Sequence, residues 1–220
     1  MKQLFSILFI ISLVLQSEAQ LNNDSEPSRF GLIMGGGVLS TNLYNPTFYY
    51  YLCFEGCQAD EQDPITRPTF NAGVTYRVNS RNQFALKTGY SEYGFHENGT
   101  SWPGHTYKVD RIWKFWGLEA EHIWTFASAG PVDLFIGNGL RLETPLNGRN
   151  EWEERVIKAF GTSYSGRLGT EILLGPKLSL VANGIFKTSV FKYNKIDPVF
   201  DNNDYRPYGY GVEAGLKVKI

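Results

Sequence analysis

The side chains in this 220-residue chain best suited to chemistry are three histidines, two cysteines and a group of carboxylates interleaved with basic residues. Hydrolysis by a serine or related nucleophile would need a His–Ser pair with an orienting carboxylate. His96 and His105 flank Ser101, but the segment 94–110 reads as a loop with no strand to fix their geometry, and His122 stands alone in an alternating run. Cys53 and Cys57 are spaced C-x3-C with no His or further Cys beside them. In an oxidising compartment that spacing favours a small disulfide over free thiols, and both over a metal site. Glu119, Glu121, Glu171 and Glu213 have the look of acid–base groups, yet Arg77, Lys87, Arg141, Arg167, Lys187 and Lys217 nearly balance them. Buried charges persist when paired, so an ion-pair network is expected rather than catalysis. No metal or cofactor site is expected. Asn98-Gly99-Thr100 matches a glycosylation sequon, which we read as a chance match.

Positioning those residues is the work of the rest of the chain. Its 21 basic and 22 acidic residues give a net charge of −1, which offers no electrostatic case for nucleic acid. Fifteen Phe, thirteen Tyr, five Trp and 23 Gly favour β-structure over helix. Residues 1–19 read as a Sec-type signal peptide: Lys2, then an apolar run from Leu4 to Leu15, then Ser17-Glu18-Ala19, with Gln20 as the first mature residue. The run is too short to cross a bilayer as a helix, and no later run approaches that length. Residues 20–28 read as a short polar leader, and 29–220 as one domain.

Eight stretches in that domain alternate with period 2: 29–40, 69–78, 83–93, 111–126, 132–143, 158–174, 178–190 and 207–220. Three connections are short and rich in turn formers: Asn79-Ser80-Arg81-Asn82, Ala127 to Pro131 and Gly175-Pro176-Lys177. The other four, 41–68, 94–110, 144–157 and 191–206, are long, and short alternates strictly with long. An eight-stranded antiparallel up-and-down transmembrane β-barrel has this pattern, with its turns at the periplasm and its loops outside.

Glycine and charge indicate which face points inward. One strand face carries Gly31, Gly35, Gly37, Gly73, Gly89, Gly117, Gly137, Gly139, Gly161, Gly169, Gly209, Gly211 and Gly215, together with Glu143 and the ionised residues named above. A narrow eight-stranded lumen needs small residues to make room for large ones. The other face reads Phe70, Ala72, Val74 and Tyr76 on the second stretch and Tyr208, Tyr210, Val212, Ala214, Leu216, Val218 and Ile220 on the last. Its few charges, Glu92, Lys114 and Lys158, fall near outer strand ends, where the cost of a charge in lipid fades. Asn138 is the polar exception. Trp116, Trp124, Phe126, Tyr164 and Phe186 suit aromatic girdles.

Three segments carry a family resemblance: Gly-Arg-Leu-Gly-Thr-Glu-Ile (166–172), Leu-Ser-Leu-Val-Ala (178–182) after a tight turn, and the closing Gly-Tyr-Gly-Val-Glu-Ala-Gly-Leu-Lys-Val (209–218). With the signal peptide they resemble the small outer-membrane barrels of the PorT-like type, and more distantly the OmpA/OmpX barrels. The resemblance covers essentially the whole mature chain and implies an outer-membrane location in a Gram-negative cell. The chain departs from many such barrels by ending in Ile220 rather than an aromatic.

Small barrels of this kind include lipid A-modifying enzymes, but His122 is expected near the periplasmic end, away from the outer leaflet. With charged side chains filling the lumen, no continuous water channel is expected. The outside surface remains. Tyr44, Phe48, Tyr49, Tyr50, Tyr51 and Phe54 crowd the first loop, and Phe95, Trp102 and Tyr107 the second. Such clusters either bind a partner or pack over the barrel mouth. The expectation is a non-enzymatic barrel, structural or binding a protein or glycan through its loops. Outer-membrane lipid and the barrel assembly machinery are its other partners. The alternatives are a membrane-embedded lipid A-modifying enzyme and a soluble periplasmic ligand-binding barrel.

Overall fold

The computed structural model describes residues 29–44, 58–101, 105–146, 161–190 and 206–220. The signal-peptide segment, Cys53, Cys57, Phe48, Tyr49, Tyr50, Tyr51, Phe54, Trp102 and Lys158 lie outside the described residues. Eight strands follow in chain order: β1 (Phe30–Tyr44), β2 (Gln58–Arg77), β3 (Asn82–Ser101), β4 (His105–Ala129), β5 (Val132–Pro145), β6 (Gly161–Leu173), β7 (Leu178–Ser189) and β8 (Arg206–Lys219). Each pairs antiparallel with its successor, and β8 pairs back onto β1, so the sheet closes into a barrel.

The short turns are built as their residues dictate. Asn79 Oδ1 accepts from the amides of Arg81 and Asn82, each at 2.9 Å, which draws the β2–β3 turn tight. Between β4 and β5 stand only Gly130 and Pro131, and Gly130 takes φ +59°, a conformation L side chains rarely adopt. Leu174 and Gly175 both donate to the carbonyl of Leu178. Both ends of the described chain join this turn rim: Arg77 N donates to Arg29 O and Lys219 N to Lys177 O, each at 2.7 Å.

One row of cross-strand neighbours describes the barrel's geometry. It leaves β1 at Phe30, passes Tyr76, Phe84, His122, Asn138, Gly166, Phe186 and Tyr210, and regains β1 at Ser40. That offset on eight strands corresponds to a tilt of roughly 45°. At ~3.3 Å per residue the row climbs about 23 Å from the turn rim to the loop rim.

Alternation within each strand separates two environments. Lys87, Glu119, Glu121, Arg141, Glu143, Arg167, Glu171, Lys187, Glu213 and Lys217 are buried in the lumen. Met34, Phe70, Leu86, Leu118, Leu140, Leu168, Val212 and Leu216 are exposed on the outside. The face expected to meet lipid is the exterior, and the glycine-rich face is the interior.

Strands β1 to β4 run further than expected. β2 starts at Gln58 and β3 and β4 remain paired up to Ser101 opposite His105, so 94–101 and 105–110 are paired strand and not loop. The connection expected at 41–68 narrows likewise, because β1 runs to Tyr44. Beyond the apolar belt both faces of a sheet are free to be polar, so polarity there does not mark a loop. An extra residue between Pro64 and Thr69 of β2 forms a bulge, where the two prolines Pro64 and Pro68 are tolerated. β6 is described from Gly161, and residues 158–160 of the expected stretch lie outside the described residues.

Candidate functional site

The lumen holds five buried carboxylates and five buried cations, arranged around Arg167. Its Nη1 lies 2.6 Å from Glu119 Oε1 and 2.9 Å from Glu121 Oε1, and its Nε 3.3 Å from Glu213 Oε2. A second donor, Nη2, reaches Glu119 Oε2 at 3.2 Å, completing a two-pronged grip on that carboxylate. Ser165 Oγ donates to Glu119 Oε1 at 2.5 Å. Lys87 pairs with the free oxygen of Glu121. Lys187 faces Glu213 at 3.8 Å and donates to Thr69 Oγ1 at 3.4 Å.

Two smaller groups sit above and below this layer. Toward the loop rim, Arg141 Nε lies 3.1 Å from Glu143 Oε1, its Nη2 donates to Gly89 O at 2.6 Å, and Tyr93 Oη donates to Glu143 at 3.2 Å. Toward the turn rim, Lys217 Nζ donates to Glu171 Oε2 at 2.6 Å and Gln83 Oε1 at 2.8 Å, with half-buried Arg77 in the same electrostatic neighbourhood. Of the charged residues read from the sequence as an ion-pair network, Lys87, Glu119, Glu121, Arg141, Arg167, Glu171, Lys187, Glu213 and Lys217 are buried here together with Glu143, and Arg77 is half-buried. Neutral partners Thr69, Ser165 and Gln83 were not singled out in the sequence, although the same period-2 phase places them on the inner face.

Apolar residues separate these groups. Ile33, Phe135 and Val181, with Ile123 against them, pack between Lys217 and the Arg167 layer. Above it, Tyr93 meets Phe115 edge-on at 5.5 Å and Phe95 lies 5.8 Å from Trp113, with Leu39 and Ile185 also buried. The void beside Lys87, Glu121 and Arg167 measures about 30 Å³, room for about one water and for no larger ligand.

The histidines do not assemble a triad among the described residues. His96 is in β3 and His105 in β4, so strands do hold both, contrary to the expectation of an unstructured loop. His96 Nδ1 lies 2.5 Å from Asp110, whose other oxygen is 3.7 Å from Arg67. Arg67 also approaches Glu92, 4.0 Å away. This is a cross-strand ion cluster on the outer face. His122 points outward and donates to Asn82 Oδ1 at 3.0 Å. The puzzling Asn138 accepts from Tyr164 Oη at 2.5 Å, a partner supplied by the neighbouring strand. No group of three His, Cys, Asp or Glu among the described residues is placed to hold a metal ion.

β2, β3 and β4 carry their pairing above the barrel as a three-stranded sheet. β5 leaves β4 at Phe115 opposite Pro145, with one further bond from Leu146 N to Lys114 O. Beyond that point no described strand pairs with the outer edge of β4. Tyr44 closes β1 opposite Arg206.

No protein-family model and no curated protein matches the sequence. Among solved structures, outer membrane protein OprG from Pseudomonas aeruginosa aligns over 89% of this chain and 98% of its own, at 8% identity and TM-score 0.50. Neisserial surface protein A covers 87% and 96% at 13% identity and TM-score 0.48. Ail of Yersinia pestis covers 86% and 99% at 12% identity and TM-score 0.39. At these identities only architecture carries over: the chain has the closed, eight-stranded antiparallel barrel fold found in a small outer-membrane protein such as OprG.

Proposed function

We propose that the chain is an outer-membrane barrel with a filled lumen, neither enzyme nor pore, that binds a polypeptide partner at the cell surface through the sheet raised by β2, β3 and β4. Its apolar exterior and ionised interior suit a membrane and disfavour a soluble ligand-binding barrel. The observation that carries the reading is the raised sheet itself. From Thr106 to Trp113 no described strand pairs with the far edge of β4, and a strand edge is a template for adding another strand. The β2 side carries Pro64, just beyond the last pair with β1, a residue that blunts an edge, whereas the β4 edge from His105 to Trp113 has no proline. Its charged residues, Lys108, Asp110 and Arg111, are mostly basic, which favours an acidic partner segment.

Cells displaying the full chain are compared with cells displaying a version in which 97–109 is replaced by a two-residue Asn-Gly turn, on arrays of immobilised polypeptides and glycans. Binding to polypeptide that disappears with the hairpin supports the reading. Equal binding by both versions removes the sheet from consideration, and binding confined to glycans makes a glycan the partner.

A further inference from the structure

The outer wall carries a shallow trough of about 670 Å³ across β2 to β5. Its floor is Ala120, whose cross-strand neighbours Leu86 and Leu140 stand as ridges on either side. Crossing it is a polar series unusual on an apolar exterior. Asn82 at the turn rim bonds His122, and His122 is the cross-strand neighbour of Asn138, which bonds Tyr164. On the climbing row His122 is the third step above Phe30 and Asn138 the fourth of eight, so Asn138 lies halfway up the wall. Tyr164 donates to Asn138 Oδ1, and Asn138 is exposed on an otherwise largely apolar wall, with no described hydrogen bond from its amide Nδ2. Polar groups at that depth are costly unless something meets them. Directly below, exposed Arg81 adjoins Asn82 at the rim, and exposed Arg29 precedes Phe30 at the trough's foot.

We propose that this trough is a binding site for one glycerophospholipid of the periplasmic leaflet, an inference that rests on the barrel's lying in a membrane. Three features converge on that chemistry. The Ala120 floor between two leucine ridges takes a single acyl chain. The donors of Asn138, in a belt without water, take an ester carbonyl drawn inward with that chain. Arg81 at the rim complements a phosphate. A second barrel would present a convex wall, which fills a trough poorly, and lipid A has its phosphates at the opposite rim.

The full chain, stripped by detergent exchange, is offered dioleoyl phosphatidylglycerol, the matching phosphatidylethanolamine, or lipid A, and retained lipid is counted by native mass spectrometry. One phospholipid per barrel is expected. Ala120→Leu fills the floor without removing a hydrogen bond and should weaken retention about tenfold, a loss of roughly 1.4 kcal/mol. Asn138→Leu should do the same, and Arg81→Ser should weaken phosphatidylglycerol more than phosphatidylethanolamine. Retention by Ala120→Leu equal to the parent, preference for lipid A, or a cross-linked dimer without lipid would each overturn the proposal. Heat-modifiable gel mobility reports closure for every variant. Should Asn138→Leu fail to close, Ala120→Leu decides. Fractionation of the parent chain into water without detergent would instead fell the membrane reading on which the site rests.

Discussion

Arg167 of β6 grips Glu119 of β4 with both terminal nitrogens, at 2.6 and 3.2 Å, across the intervening strand β5. The guanidinium also serves Glu121 and Glu213, so one side chain balances three buried carboxylates. Removing it strands negative charge in the buried lumen. Arg167→Met is expected to cost about 3–5 kcal/mol in urea unfolding of the reconstituted barrel. Adding Glu119→Gln should recover part of that loss, because one orphaned charge goes with it. A single mutant as stable as the parent would mean that the network does not hold the lumen together.

The crossing over β5 depends on two glycines. A Cβ at Gly137 would lie 2.5 Å from Glu121 Oε1, and one at Gly139 would lie 2.6 Å from both Glu119 Oε1 and Ser165 Oγ. Any side chain there occupies the corridor through which Arg167 reaches β4. Gly139→Val is expected to destabilise the barrel by about 1–3 kcal/mol. At outward Gly184 a Cβ would meet nothing nearer than 3.9 Å, so Gly184→Ala should be neutral or slightly stabilising. Equal effects at the two positions in the same unfolding assay would contradict a packed corridor.

The filled lumen proposed above predicts no path for ions. Ile33, Phe135 and Val181 close the lumen below Arg167, and the aromatic group around Tyr93 and Phe115 closes it above. Planar-bilayer recordings should therefore show no steady conductance at neutral pH. Regular, voltage-stable open steps from the purified chain would require a wider lumen than eight strands with these side chains provide.

The barrel's inside and outside were legible in the sequence because a one-residue slip exchanges every face. Gly137 and Arg141 share a phase that Leu140 does not, and no alternative register reconciles them. The pairings were less legible. Arg167 and Glu119 are 48 positions apart on strands that are not neighbours, and the tilt that brings them level emerges only when the barrel closes. Asn138 stood out as an anomaly, yet its partner Tyr164 depends on the same register. The extent of β3 and β4 was missed because His96, Lys108 and Asp110 look like loop residues until strand pairing places them on the open face of a sheet. Tyr44 was read as a loop contact, and the structure puts it at the last pair of β1.

The raised sheet should be separable from the barrel in stability. Phe95 and Phe115 are almost wholly buried, and Phe95 packs on Trp113 where the sheet leaves the wall. Phe95→Ala removes about 3–5 kcal/mol of packing from that junction. The expected result is faster protease cleavage within 94–110 while heat-modifiable mobility of the barrel persists. Loss of both together would show that sheet and barrel fold as one unit.

Depth dependence offers the sharpest test of what surrounds the wall. Leu168 and Met34 are 62% and 66% exposed and lie near mid-height, whereas Phe126 sits beside the turn rim at the β4 bulge. If the exterior meets acyl chains, Leu168→Lys and Met34→Lys should each cost about 2–4 kcal/mol and Phe126→Lys no more than about 1. A soluble barrel predicts no ordering with height. Lysine on an exposed apolar surface would then be neutral at every height and would raise solubility without detergent. Unfolding free energies of the three variants in lipid vesicles decide between these outcomes, since water imposes no gradient along the strand and a bilayer must.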